Sequence, residues 1–195
     1  MKGYCFLSAV PMRAEASDRA EMVNQLLAGD TVEVLLREEK WSKVRCEYDG
    51  YEGWVDNKQY VFFDSAADLA ECCFLGTPYL WGGRSKAGID CSGLTQVCFK
   101  AMDIWLPRDA SQQVTCGHEV CLCDVQRDDL AFFTSLPTAQ CPQPTKIIHV
   151  GICMGDGRII HSSGYVRIDK LDSKGIFNEQ TQSYSHILHS IRRVR

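Results

Sequence analysis

The chain has 195 residues, enough for one large domain or two small ones, and a formal charge of −4. Its 45% hydrophobic and 24% charged residues are ordinary for a globular protein, and the acidic balance gives no electrostatic footprint for nucleic acid or an anionic membrane. No apolar run approaches the length needed to cross a bilayer, so neither nucleic acid nor membrane is expected as a partner.

From the N-terminus, a single lysine precedes the apolar patch Gly3 to Val10. That patch is at the short limit for a signal-peptide core and lacks a convincing cleavage site. The eleven cysteines are odd in number, and several lie in apolar periodic stretches where they serve as small core residues. Their spacings contain no two C-x-x-C pairs. A reduced, cytoplasmic protein is expected over a disulfide framework, with an exported protein whose leader has been removed as the alternative.

Residues 1–63 read as a small all-β unit. Leu26-Leu27-Ala28-Gly29-Asp30 predicts a turn into a strand from Thr31 to Leu36. From Trp41 to Tyr48 the residues alternate, with Val44, Cys46 and Tyr48 on one face and Lys43, Arg45 and Glu47 on the other. Asp49-Gly50 predicts a two-residue hairpin turn, with Tyr51 to Val55 returning. Short strands at this spacing indicate a small barrel.

Phe62-Phe63-Asp64 marks a boundary, so residues 64–195 form the second domain. Ser65-Ala66-Ala67-Asp68 has the form of a helix start, and Gly76-Thr77-Pro78 ends that helix. A glycine-broken loop from Tyr79 to Asp90 then leads to Cys91. After it, Leu94, Val97, Cys98 and Ala101 recur at helical spacing, placing Cys91 at a helix start, where unpaired N–H groups favour a thiolate. Most cysteines are simply small buried side chains; the context singles this one out. Leu106 to Gln113 reads as a polar loop turning into a short helix. Strands follow at 130–133, 147–154, 158–164 and 165–168, and the segment 187–194 is placed to close the sheet. Helices segregated at the front of an antiparallel sheet make the domain α+β.

A cysteine nucleophile needs a base, and the base needs a third group to orient it. His149 and His161 flank the turn Gly155-Asp156-Gly157. If the loop is those three residues, Met154 opposes Arg158 and Gly151 opposes His161, so both histidines share a face; a two-residue loop separates them. His118 sits in a cysteine-flanked loop, and His186 and His189 have no recognisable partner. A zinc site from Cys116, His118, Cys121 and Cys123 lacks convincing spacing, and no metal or other cofactor is expected.

The motifs P-Y-x-W-G-G, G-x-D-C-S-G-L, L-P-R-D-A-S-Q-Q, H-V-G-I and I-I-H-S-S-G, in this order from Pro78 to Gly164, resemble the NlpC/P60 cysteine peptidases. The run L-x-x-G-D-x-V-x-V, then W-x-K-V and G-Y-x-G-W-V, resembles a bacterial SH3 domain. Together they are similar to the gamma-D-glutamyl-L-diamino acid endopeptidases, or dipeptidyl-peptidase VI. The resemblance implies an SH3-like barrel followed by a papain-like domain, helices packed on an antiparallel sheet. It implies Cys91 as nucleophile, His149 as base and His161 as its orienter, with Tyr79 and Trp81 lining the cleft. Asp90, Ser92 and Ser111 match substrate-contacting positions. Glu21 resembles a first-domain glutamate that holds a substrate's free amine, Tyr51 matches a first-domain aromatic residue, and an exposed carboxylate at Glu21 or Asp90 is expected to face that ammonium. The implied reaction is hydrolysis of the bond between gamma-D-glutamate and a diamino acid in a murein stem peptide, without an obligate protein partner. An amidase or acyltransferase on the same scaffold, and a non-catalytic cell-wall binding module, are the alternative readings.

Overall fold

Seven short strands joined edge to edge build the N-terminal unit. They are β1 (Lys2–Tyr4), β2 (Ala9–Arg13), β3 (Met22–Leu27), β4 (Thr31–Arg37), β5 (Trp41–Cys46), β6 (Glu52–Asp56) and β7 (Val61–Phe63). All pair antiparallel, in the order β3-β2-β6-β5-β4-β1-β7. The structure, a computed structural model, describes residues 2–195 and divides after Asp64 into two units. Val10, Met12, Leu26, Val32, Val44 and Val55 are sealed from solvent and pack with Cys5, Cys46 and Tyr60 in a core of the first unit's own. Burying each of the larger aliphatic side chains contributes about 1.5–3 kcal/mol.

The apolar patch from Gly3 to Val10 supplies β1 and the start of β2, with Cys5 and Val10 inside the barrel. One sequence expectation changes here: the β5–β6 turn is longer than Asp49-Gly50 predicts. The Cys46 N–H donates to the Tyr51 carbonyl at 2.9 Å, so residues 47–50 form a four-residue connection. Tyr48 therefore leaves the alternation and is 79% exposed instead of joining Val44 and Cys46 inside.

In the second unit the Ser65 hydroxyl accepts from the Asp68 N–H at 3.0 Å, capping α1 (Ala66–Leu69), which widens into a π-helical turn over Ala70–Phe74. A two-stranded hairpin, β8 (Arg84–Ser85) and β9 (Gly88–Ile89), precedes α2 (Cys91–Lys100), and α3 (Ala110–Gln113) follows. The strands are β10 (His118–Glu119), β11 (Leu130–Thr134), β12 (His149–Cys153), β13 (Arg158–Ser163), β14 (Tyr165–Leu171), β15 (Gly175–Asn178) and β16 (Ser183–Arg193). Their order is β10-β16-β11-β12-β13-β14-β15, and β15 pairs back onto β16. The C-terminal strand thus closes the sheet into a ring of six strands, with β10 outside it as an edge. Ala131, Phe133, Cys153, Ile159, Leu171, Ile176 and Ile191 fill the interior. The helix α2 lies across β12 and β13. No helix among the described residues is long and apolar enough to cross a membrane.

Candidate active site

Cys91 is the first residue of α2, and Asp90 is its N-cap, with a carboxylate accepting from the Gly93 N–H at 2.7 Å. The loop that delivers them is folded over the helix start. The Gly82 N–H donates to the other Asp90 oxygen at 2.7 Å, and Asp90 N–H donates to the Gly83 carbonyl at 3.2 Å. Gly82 has φ +81°, the left-handed conformation that glycine adopts without cost. A Cβ on Gly93 would lie 2.3 Å from the Gly83 carbonyl oxygen, so only glycine lets the loop pass this close.

Across the fold, the register of β12 and β13 pairs Gly151 with His161, and the Met154 N–H donates to the Arg158 carbonyl at 2.9 Å. The turn is the three residues Gly155 to Gly157, both glycines left-handed at φ +82° and +77°. His149 and His161 consequently meet on one face, His149 Nε2 lying 2.8 Å from His161 Nδ1. Both are buried, at 4% and 1% exposure. Gly151 leaves the room for this: a Cβ there would sit 2.9 Å from the His161 Cβ.

The chain of contacts runs on past His161, whose Nε2 is 3.0 Å from Asp169 Oδ2; the other Asp169 oxygen accepts from Arg167 at 2.8 Å. Burial pushes Asp169 up, but the bonds from His161 and Arg167 outweigh it and hold the carboxyl below its usual range. An ionised carboxylate only accepts, so His161 donates Nε2–H to it. Burial keeps His161 neutral against the opposing pull of Asp169, which leaves Nδ1 as a lone pair accepting Nε2–H from His149. His149 Nδ1 is then the free base. It belongs to the residue before Val150, whose backbone N–H faces the Cys91 thiol together with the N–H groups of Cys91 and Ser92.

The helix start does not by itself produce a thiolate. Burial, aided by the Asp90 charge, pushes the Cys91 thiol above 9.0, while the three N–H groups pull it down without prevailing. Burial also holds His149 well below 6.5, with the charges of His161 and His186 acting in the same direction. At neutral pH Cys91 is a thiol and His149 a neutral imidazole.

A cleft of about 570 Å³ opens beside Cys91, and Tyr79, Trp81, Asp90, Ser92 and Ser111 are among the residues that line it, as are Arg108, Ile147 and Ile148. Trp81 is 85% exposed. Burial, with the charges of Cys91 and Asp90, raises Tyr79, which stays a phenol and a donor. Asp90 departs from expectation. It is 5% exposed, and Arg108 holds it through two bonds of 2.5 and 2.9 Å, so it is not an exposed carboxylate. Ser92 is buried with it and accepts from Arg108 at 2.9 Å. In the first unit, Glu21 is exposed just ahead of β3, and Tyr51 is 42% exposed just ahead of β6. Of the residues weighed as zinc ligands, Cys121 and Cys123 come together with Asp124, their ligand atoms within 4.8 Å. All three are exposed, and they number one fewer than a structural zinc uses.

Four participants escape sequence reasoning: Arg108, Asp169, Arg167 and His186. Reading the β13–β14 hairpin as the first was read places Arg167 opposite His161 and Asp169 two residues beyond on the same face. His186, which has no partner recognisable in the sequence, stacks on His149 with ring centroids 4.2 Å apart and planes 18° apart.

The NlpC/P60 family profile matches residues 76–185, more than half of the chain, and the bacterial dipeptidyl-peptidase SH3 domain profile matches residues 12–59. The chain belongs to the NlpC/P60 family. A gamma-D-glutamyl-L-lysine dipeptidyl-peptidase of Bacillus subtilis strain 168 is 45% identical over 89 residues, covering 46% of this chain and 28% of that protein. The Bacillus cereus protein of the same name is 32% identical over 144 residues, 67% of this chain and 42% of the other. The chain thus spans less than half the length of either. A crystal structure of an NlpC/P60 family protein from Bacillus cereus superposes with a TM-score of 0.60 at 25% identity, over 99% of this chain and 63% of that one. NlpC2 from Trichomonas vaginalis shares the fold, with a TM-score of 0.56 at 24% identity over 100% of this chain and 73% of its own.

Within this family site, the buried His149 and His161 and the half-buried His186 make the fold acid-sensitive. Burial lowers His149 and His161, and takes His186 from 6.5 to about 4. Below pH 6.5 the unfolded chain takes up protons that the folded chain refuses, so stability is full above 6.5 and falls as pH drops toward 4. His186 alone removes on the order of 2 kcal/mol by pH 5. Thermal unfolding of the protein between pH 7 and pH 5 measures this; a melting temperature independent of pH over that interval contradicts it.

Proposed function

We propose that this chain is a cysteine peptidase hydrolysing the gamma-D-glutamyl–diamino acid amide of murein stem peptides that carry a free N-terminal L-alanine, in recycling or turnover of cell-wall peptides. The observation that carries the reading is the relay Asp169–His161–His149, ending in a free Nδ1 on the residue adjoining the backbone N–H that faces Cys91. The named activity of the two Bacillus relatives supports the bond assigned.

The chemistry follows from that proton order. Cys91 Sγ attacks the amide carbon as its proton passes to His149 Nδ1, and the imidazolium is stabilised through His161 by Asp169. The oxyanion takes N–H donors at the start of α2 and the Tyr79 phenol. His149 returns the proton to the leaving amine, which departs from a thioester. Water, deprotonated by His149, then attacks the thioester and restores the thiol. Mass spectrometry of products from free and cross-linked stem peptides tests the assignment. Release of L-Ala-D-Glu from free tripeptide supports it, and release of any other fragment refutes it.

Selectivity for the free amine is assigned to Glu21, with Tyr51 as a further first-domain candidate. Asp90, already paired with Arg108, is less suited to that role. Glu21→Ala is expected to lower kcat/KM on a free-amine substrate about 10–100-fold. On the N-acetylated peptide the two proteins should match; equal losses on both substrates mark Glu21 as structural.

A further inference from the structure

We infer that His186 is a positioning residue for His149, its flat ring fixing the plane of the base; the inference deepens the peptidase reading and rests on it. A hydrogen bond holds His149 only along one edge. The His149 Nε2 to His161 Nδ1 contact, with ring planes 85° apart, fixes one edge of the imidazole, and the Phe133 ring meets it tilted by 46° at 6.0 Å, so neither contact lies flat against its face. The His186 ring does lie flat on that face, 4.2 Å away and 18° from parallel, and restrains its rotation. Rotation about the Cβ–Cγ bond swings Nδ1, the atom that must receive the Cys91 proton, farther than Nε2, so the stack acts at the reacting atom.

The fold gives His186 this place. The strand β11 stops at Thr134, which pairs with Ile187, so His186 is the first residue of β16 beyond the end of the strand separating it from β12. Its own ring is anchored. Nδ1 lies 3.0 Å from the Ser185 hydroxyl, and the Phe133 ring meets it edge-on at 6.2 Å. The titratable groups facing it are His149 from β12, His161 from β13 at 6.4 Å and Asp169 from β14. Burial keeps His186 uncharged at pH 7, so its ring face does not repel the imidazolium that His149 becomes during the reaction.

The test compares His186→Phe, which keeps a flat ring, with His186→Leu, which keeps bulk without a face, and His186→Ala. Two rates are read at pH 7: turnover of L-Ala-gamma-D-Glu-L-Lys, and alkylation of Cys91 by iodoacetamide, followed on the Cys91 peptide by mass spectrometry. Thermal unfolding of each variant is measured alongside. Ala and Leu are expected to lower kcat about 10–100-fold with KM within about threefold, and Phe to hold kcat within about threefold of the parent. Alkylation of Cys91 should fall in the same order. Leu matching Phe shows that bulk alone suffices, and Ala matching the parent shows that the ring is idle; either overturns the inference. So does an equal loss in all three with equally lowered melting temperatures. Alkylation needs no peptide substrate. A parent protein that fails to cut the tripeptide defeats the peptidase reading, while the order of the alkylation rates still decides the role of His186.

Discussion

Cys91→Ala is expected to reduce hydrolysis of L-Ala-gamma-D-Glu-L-Lys by at least about 10⁴-fold while leaving the fold intact. The size of the loss follows from what remains without the sulfur. His149, held neutral by burial, then has no nucleophile to deprotonate. The Tyr79 phenol and the N–H groups at the start of α2 can still bind the carbonyl oxygen, which accounts for any residual rate. Stability should barely change. Cys91 is the first residue of the helix, and the cap is made by Asp90, not by the thiol. Alanine is also the best helix former, and only one buried atom is lost. The melting temperature is therefore expected within about 3 °C of the parent, a shift on the order of 1 kcal/mol. Product formation by mass spectrometry and unfolding by circular dichroism read the two halves separately. Residual turnover within tenfold of the parent defeats the nucleophile assignment. A lost melting transition shows that inactivity reflected unfolding.

The parts of this site that a local period specifies were legible before any coordinate. The spacing after Cys91 places it at a helix start, and the glycines at 155 and 157 permit the three-residue turn that the structure uses to bring His149 and His161 together. Local pattern fails where the outcome depends on sheet closure. The pairing of β16 with β11 shifts register between Phe132 and Phe133, and its pairing with β15 shifts between Ile176 and Phe177. Each shift changes the parity of alternation, so counting along β16 cannot tell which face His186 takes. Tyr48 shows the same limit in miniature. Asp49-Gly50 predicts a turn correctly, but the turn's length moves Tyr48 from the core to solvent. Asp90 fails for another reason. A carboxylate before a helix reads equally as cap or as ligand, and only the approach of Arg108, eighteen residues later, decides how much of its charge is already satisfied.

That pairing makes Asp90→Ala strongly destabilising. The Asp90 carboxylate accepts from the N–H groups of Gly82 and Gly93, from the Ser92 hydroxyl and from both terminal nitrogens of Arg108, so one truncation removes five hydrogen bonds, and of the Arg108 nitrogens only the one that also donates to Ser92 keeps a partner. Losing the cap costs about 1 kcal/mol. Leaving a half-buried guanidinium without its partner adds about 2 kcal/mol, below the full cost of a deeply buried pair because Arg108 keeps some access to water. The sum, about 3 kcal/mol, lowers the melting temperature by roughly 6–12 °C. Burial pushes Asp90 up, but Arg108 and the two N–H groups outweigh it and hold the carboxyl below 3.8; this stabilisation is therefore present above pH 3.8 and is lost as pH falls through the depressed value. Asp90→Asn retains an oxygen for the Gly93 N–H but no charge for Arg108, so its melting temperature should fall between those of the parent and Asp90→Ala. A pronounced rise in KM for the free-amine peptide, with the melting temperatures of all three proteins equal, would instead make Asp90 the ammonium's partner and remove its structural role.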